Sequence, residues 1–198
     1  MFTGIVEAKS KIINIIPDQE NLHFILECAL TPEFKIDQSL AHNGCCLTVV
    51  NLWPDQMTYE VTAIQETLNK TTLGSWRIGD EINIERSMLM NGRLDGHIVQ
   101  GHVDGVARCI EKSFEEGSWR FTFTYSLDEV TVEKGSIAVN GVSLTVVNAQ
   151  PKAFSVCIIP YTYEHTSFNS LSVNDMVNVE FDILGKYAKK ILERYVVK

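Results

Sequence analysis

Residues 39–51 (SLAHNGCCLTVVN) and 136–148 (SIAVNGVSLTVVN) are identical at nine of thirteen positions, with no gap, at an offset of 97. A repeat of this period constrains the fold more than any other feature, because two copies of one sequence pattern build two copies of one structural unit. The same offset places Gly4 on Gly101 and Pro54 on Pro151. After a slip to an offset of 95, ETLNKTTL (66–73) falls on YTYEHTSF (161–168) and IGDEINIERS (78–87) on VNDMVNVEFD (173–182). The halves are therefore residues 1–87 and 98–182, with MLMNGRLDG between them. With the linker counted in the first half, the expected units are 1–97, 98–182 and a tail of 183–198.

Each half reads as β. EINIE, MVNVE and RFTFTY alternate apolar with polar, and LTVV, YEVTAI and FSVCII are short β-branched runs bounded by Gly, Pro and Asn. About six short strands per half, with no helix to cover an open sheet, must dispose of their edges, and closure into a small barrel does so. The expected fold is all-β: two tandem six-stranded antiparallel Greek-key barrels. The tail differs. Ile183, Leu184, Tyr187, Ala188, Ile191, Leu192 and Tyr195 recur at steps of three and four, with Lys186, Lys189, Lys190, Glu193 and Arg194 between them. That is one amphipathic helix of about four turns, whose stripe needs a partner surface.

Composition removes several function classes. The 17 Lys+Arg against 25 Asp+Glu leave a net charge of −8 with no basic run, so a nucleic-acid or anionic-membrane partner is not expected. No stretch approaches the ~18–20 apolar residues of a membrane span, and MFTGIVEAKS lacks the basic-then-apolar layout of a secretion signal, so a cytoplasmic location is expected. Five cysteines (Cys28, Cys45, Cys46, Cys109, Cys157), an odd number without a CxxC, argue for reduced thiols. Cys28 and Cys109 read as core thiols. A zinc pair of His97 and His102 is disfavoured, because a spacing of five puts them on opposite faces of an unbroken strand.

The opening MFTGIVE, the twice-occurring NGxxLTVV, the segment GHIVQGHVDG and the closing VNVEFDILGKY together resemble the riboflavin synthase family of the α-type, over nearly the whole chain. The resemblance implies a homotrimer of tandem barrels with the C-terminal helix at the trimer axis. It implies the dismutation of two molecules of 6,7-dimethyl-8-ribityllumazine into riboflavin and 5-amino-6-ribitylaminouracil, by transfer of a four-carbon unit and without metal or organic cofactor. The N-terminal barrel of one subunit would face the C-terminal barrel of its neighbour. Association with lumazine synthase, the preceding enzyme, is left open.

A reaction of two identical molecules needs two similar pockets, which a duplicated barrel supplies. On the repeated strand, Cys46 and Thr48 share one face and Leu47 and Val49 the other, with Ser143 and Thr145 as counterparts of the first pair. The resemblance puts ligand contacts at Gly4, Ile5 and Val6, at Cys46, Leu47 and Thr48, and at Thr62, Ala63, Ile64, Gln65, Glu66 and Thr67. It adds Gly101, His102 and Val103, Lys134, and Ser143, Leu144 and Thr145, then Cys157, Ile158, Ile159, Pro160, Tyr161 and Thr162. Gly4 and Gly101 read as tight spots where a ligand approaches backbone, or simply as turn glycines. Tyr161 stands where the first half has Glu66, which reads as pocket variation because Thr67 and Thr162 both survive.

Departures from the repeat should mark where the two substrates are treated differently. Cys46 faces Ser143 in the alignment, His102 faces Ile5, and Asp182 faces Ser87. The family's catalytic candidates match Ser39, Cys46, His102, Thr145 and Asp182. Cys46 is a thiol that could add to the ring, or a small buried hydrophobe. His102 suits acid–base work at a methyl carbon, or a structural role. Asp182 could equally be the N-cap of the tail helix. Ser39 has a serine counterpart, Ser136, so only the resemblance makes it catalytic. The rival reading is a non-catalytic lumazine- or flavin-binding antenna protein of the same fold. A flavin reductase domain would need a Gly-rich phosphate loop, and this sequence has none.

Overall fold

A computed structural model describes residues 1–196. The first half forms a closed antiparallel barrel of β1 (Ala8–Asp18), β2 (Asn21–Glu27), β3 (Ser39–His42), β4 (Cys45–Trp53), β5 (Thr58–Ala63) and β6 (Glu81–Arg86), in the spatial order β1-β2-β5-β4-β3-β6. The second repeats it with β7 (Gly105–Glu115), β8 (Ser118–Tyr125), β9 (Ser136–Val139), β10 (Val142–Gln150), β11 (Ala153–Ile158) and β12 (Met176–Phe181). Even the bulges repeat. Register slips between Val49 and Asn51 on β4 and between Val146 and Asn148 on β10, and likewise on β1 (Ile12/Asn14) and β7 (Cys109/Glu111). Bulges bend a strand and increase its twist, which a six-stranded sheet needs in order to close.

The β3–β4 and β9–β10 hairpins turn on Asn43-Gly44 and Asn140-Gly141, all four at positive φ, as a two-residue turn between right-twisted strands requires. Inside, alternate residues pack as expected: Phe24, Leu26, Leu40, Leu47, Val49 and Val61 in the first barrel, Phe121, Phe123, Ile137, Val146 and Val156 in the second. Each such side chain contributes ~1.5–3 kcal/mol. Cys28 and Cys109 are core thiols, as read from the sequence.

The two cores differ in one respect the alternation does not signal. In the first barrel His42 is fully buried, with Nδ1 3.1 Å from the Leu40 carbonyl and Nε2 3.0 Å from the Tyr59 hydroxyl, itself 3.1 Å from Ser10 Oγ. A carbonyl only accepts, so Nδ1 carries the proton and Nε2 accepts from Tyr59. The equivalent positions in the second barrel are Val139, Phe154 and Ala107.

The barrels meet across an approximate twofold relation. The two Asn-Gly turns abut, and four buried asparagines cross-link them. Asn83 Nδ2 donates to the Asn140 carbonyl and Asn178 Nδ2 to the Asn43 carbonyl, both at 2.9 Å. Asn43 Oδ1 and Asn140 Oδ1 accept from the Asn83 and Asn178 backbones, both at 2.8 Å. The strand patterns EINIE and MVNVE read as apolar-in, polar-out, but their asparagines and the glutamates Glu85 and Glu180 are buried. The polar side of these strands faces the other barrel instead of water.

Helix also enters each half. The segments after β5 and β11, which the resemblance gives as ligand contacts, turn at Ile64 and Ile159 into α1 (Gln65–Lys70) and α2 (Pro160–His165). Pro160 at the first helical position favours that turn, since its missing N–H has no intrahelical partner there. The tail is α3 (Ile183–Val196), with Leu184, Tyr187, Ile191, Leu192 and Tyr195 each more than half exposed. Lys186 (2.8 Å to Asp104) and Lys189 (to Asp128 and Glu129) tie it to the second barrel, leaving the apolar stripe facing away.

Candidate active site

The segments that precede each barrel are exchanged. Phe2 and Val99 pair as an antiparallel bridge between the barrels, so the chain on either side of it crosses over. Residues 3–6 run onto the second barrel, where the Gly4 carbonyl accepts the Ser143 backbone N–H at 2.7 Å, and Val6 packs on that core. Residues 100–103 run onto the first, where the Gly101 carbonyl accepts the Cys46 N–H at 2.8 Å, and Val103 packs there. Each repeated strand therefore carries the leading segment of the opposite half.

Both glycines are obligatory, for a reason the sequence did not supply. Gly4 and Gly101 have φ of +78° and +80°, and a Cβ on either would lie 2.6 Å from the Cβ of Ser143 or Cys46. The close approach is to the facing strand. Two buried carboxylates hold the segments in place. Glu85 accepts the N–H groups of Thr3 (2.6 Å) and Gly4 (3.0 Å), and Glu180 those of Gln100 (2.6 Å), Gly101 (2.9 Å) and His102 (3.0 Å). Burial raises both above the usual carboxylate range, Glu180 to about 6. The sequence did hold this signal: a glutamate retained in both copies, hidden by its alternation with apolar neighbours.

Two clefts result. In the first, Leu47 points into the core while Cys46 is half-buried and Thr48 exposed on the outer face, as the alternation predicts. Val49 pairs with Val61, so Thr48 lies beside Thr62 near the end of β5. There the chain passes through Ala63 and Ile64 into α1, which carries Gln65, Glu66 and Thr67. Gly101, His102 and Val103 close the end. The second cleft is built alike: Ser143 and Thr145 on the outer face of β10, Leu144 inward, and Cys157 one step beyond the Val146–Val156 pair. Ile158, Ile159, Pro160, Tyr161 and Thr162 lead into α2, and Gly4, Ile5 and Val6 close the end. Tyr161 is exposed and stacks on His165 with ring centroids 4.1 Å apart.

The five catalytic candidates divide between the clefts. Ser39 pairs with Thr48 on the first barrel, alongside Cys46 and His102. Thr145 pairs with Ser136 on the second, and Asp182 lines the groove that also contains Ser136. Asp182 Oδ1 accepts the Leu184 N–H at 3.0 Å, so this residue does cap α3. Cys46 packs with Phe2, Ala41, Val99 and Ala138 between the barrels, while its neighbour Cys45 is buried and its thiol pushed up to about 12. Of the adjacent pair, only Cys46 has access to the cleft.

Three further features bear on the clefts. Lys134 and Asp37 occupy the same positive-φ site in the two halves, their N–H groups donating to Val146 and Val49, so the clefts carry opposite charges on one edge. His97 is buried against Ser143, whereas His102 is exposed, so they do not converge. A groove of about 670 Å³ beside the first barrel is lined by Ile5, Ile36, Arg86 and Met88; its counterpart on the second, about 140 Å³, borders the start of α3. Neither encloses the outer faces of β4 and β10, which stay open.

Comparison with known proteins fits this architecture. The lumazine binding domain matches twice, at residues 3–87 and 100–182. Riboflavin synthases of Mycobacterium tuberculosis (41% identical, covering 97% of this chain and 98% of the relative) and Actinobacillus pleuropneumoniae (37%, covering 97% and 90%) align nearly end to end. So does that of Bacillus subtilis, at 34% over 98% and 91%. Among solved structures, LumP complexed with 6,7-dimethyl-8-(1'-D-ribityl) lumazine superposes with a TM-score of 0.83 at 22% identity, over 91% of this chain and 98% of LumP, which speaks for the fold alone. With the domain matched in both halves and kinship of 34–41% along almost its full length, the chain belongs to the riboflavin synthase family.

Proposed function

We propose that each cleft of this riboflavin synthase holds one 6,7-dimethyl-8-ribityllumazine, and that the two react by four-carbon transfer to give riboflavin and 5-amino-6-ribitylaminouracil. The observation that carries this reading is the pair of clefts with one architecture and unlike chemistry. Backbone groups of β4 and β10 and the crossed segments offer matched donors and acceptors to two identical ring systems. The side chains then differ at equivalent places: Cys46 against Ser143, His102 against Ile5, Asp37 against Lys134, Ser87 against Asp182. Equal binding with unequal surroundings is what a reaction between two identical molecules requires.

In this reading Cys46, with Ser39 beside Thr48, supplies the nucleophilic side of the first cleft. His102, exposed at its end, moves the methyl proton, and Thr145 and Asp182 serve the second cleft. The clefts are open in one chain, so a neighbour's opposite barrel would cover each and exclude water. The bare apolar stripe of α3 supports a homotrimer packed through that helix. No helix among the described residues is long and apolar enough to cross a membrane, and we place the enzyme in the cytoplasm.

Purified protein given 6,7-dimethyl-8-ribityllumazine alone should form riboflavin, with two substrate molecules consumed per product. Tight binding with a fluorescence change and no riboflavin would make the protein an antenna or carrier instead. Truncation after Asp182 should dissociate the trimer in sedimentation velocity, and a truncated chain that still sediments as a trimer would remove α3 as its main contact.

A further inference from the structure

His97 Nδ1 lies 2.7 Å from Ser143 Oγ, and the ring is almost wholly buried. Its placement is rigid. The His97 backbone N–H donates to the Thr3 carbonyl at 3.0 Å, and the Ser143 N–H donates to the Gly4 carbonyl at 2.7 Å. The linker passes so close that a Cβ at residue 96 would sit 2.0 Å from the Thr3 carbonyl oxygen and 3.0 Å from Ser143 Oγ. Ser143 is thus gripped through its backbone by the crossing segment 3–6 and through its hydroxyl by the end of the linker that runs beside that segment. Burial holds the imidazole below its ordinary pKa against the opposing charge of Asp182, which keeps the ring neutral near pH 7. A neutral imidazole with Nδ1 unprotonated accepts the Ser143 hydroxyl proton, which stops the hydroxyl rotating and leaves its oxygen lone pairs as the acceptors available to the cleft. Cys46, at the same place in the first cleft, has no imidazole hydrogen-bonded to it among the described residues.

We propose that His97 is a positioning residue for Ser143: it fixes the Ser143 hydroxyl as a directed hydrogen-bonding group toward the lumazine in the second cleft, a function the first cleft does not duplicate. The inference rests on the reading of that cleft as a lumazine site. A hydroxyl free to rotate would spend part of its time misdirected, and the loss of one oriented neutral hydrogen bond corresponds to about tenfold in rate.

The test is a mutant cycle on the full-length enzyme. His97→Ala should lower kcat about tenfold with KM changed less than about twofold. His97→Asn, whose amide can place a polar atom near the position of Nδ1, should recover most of that loss. In a Ser143→Ala background, His97→Ala should cost nothing further. An unchanged kcat in His97→Ala, effects of the two substitutions that multiply, or no rescue by His97→Asn in a protein that melts normally would each overturn the proposal. If the wild-type protein binds lumazine but forms no riboflavin, the functional reading fails separately, and the same cycle read as dissociation constants decides the role of His97.

Discussion

Gly101→Ala should dismantle the first cleft while leaving the second able to bind. The new methyl would lie 2.6 Å from Cys46 Cβ and 2.7 Å from the buried Phe2 ring, on a backbone at φ +80°. A left-handed alanine costs about 1–2 kcal/mol and overpacking a further 1–3, so a total of about 2–5 kcal/mol is expected. The segment can relieve this by lifting off β4, which breaks the hydrogen bond from Cys46 and displaces His102. Turnover should fall by more than about a hundredfold, as misplacement near 1 Å can produce. Fluorescence titration should show two ligand sites per chain in the parent and one in the variant. Gly79→Ala is the control, since Gly79 also has positive φ (+99°) but nothing within 4 Å of a new Cβ. It should lose a little stability and no activity. Two intact sites in Gly101→Ala would refute the crossed-segment account of the clefts.

Acid should destabilise the first barrel through His42. Burial holds this imidazole at about 4 against 6.5 in the unfolded chain. Below pH 6.5 the unfolded state takes up a proton the folded state refuses, so stability present above pH 6.5 is lost progressively as pH falls to about 4. The difference of about 2.5 units corresponds to roughly 3 kcal/mol. Glu180 acts oppositely: with a folded value of about 6, it gains roughly 2 kcal/mol as pH falls from 6 to 4.5, and Glu85 shifts in the same sense. The second barrel supplies the remedy for the first. Ser10→Ala, His42→Val and Tyr59→Phe together install Ala107, Val139 and Phe154 of the other copy. The triple variant should lose about 3 kcal/mol less than the parent between pH 6.5 and 4 by urea denaturation. An identical pH profile in both would show that His42 does not carry the acid sensitivity.

The repeat, the alternation and the three- and four-residue spacing of the tail were sufficient to give two six-stranded barrels and a terminal helix, because these are local properties: period and the side of a strand or helix on which a residue falls. They also put Cys46 and Thr48 on one face of the strand and Leu47 and Val49 on the other, with Ser143 and Thr145 as counterparts of the first pair, while the structure decided that Leu47 and Leu144 point inward. What they could not give is which copy of a segment sits on which barrel. Gly4 and Gly101 look equivalent in the alignment, and nothing local says that each lies on the strand of the other half. That exchange depends on contacts between residues about 55 and 140 positions apart, Gly101 with Cys46 and Gly4 with Ser143, which only chain packing creates. The same limit explains the misread polar residues. Asn83, Asn178, Glu85 and Glu180 alternate with apolar neighbours as solvent-facing residues do, and a second barrel can occupy the place of solvent. His42 and His97 were illegible for a related reason: a lone histidine has no pattern, and its partners Tyr59 and Ser143 lie 17 and 46 residues away. Sequence by itself determined the units and their faces, and the tertiary structure decided how the two units complete one another, because a buried hydrogen bond is specified by both ends at once.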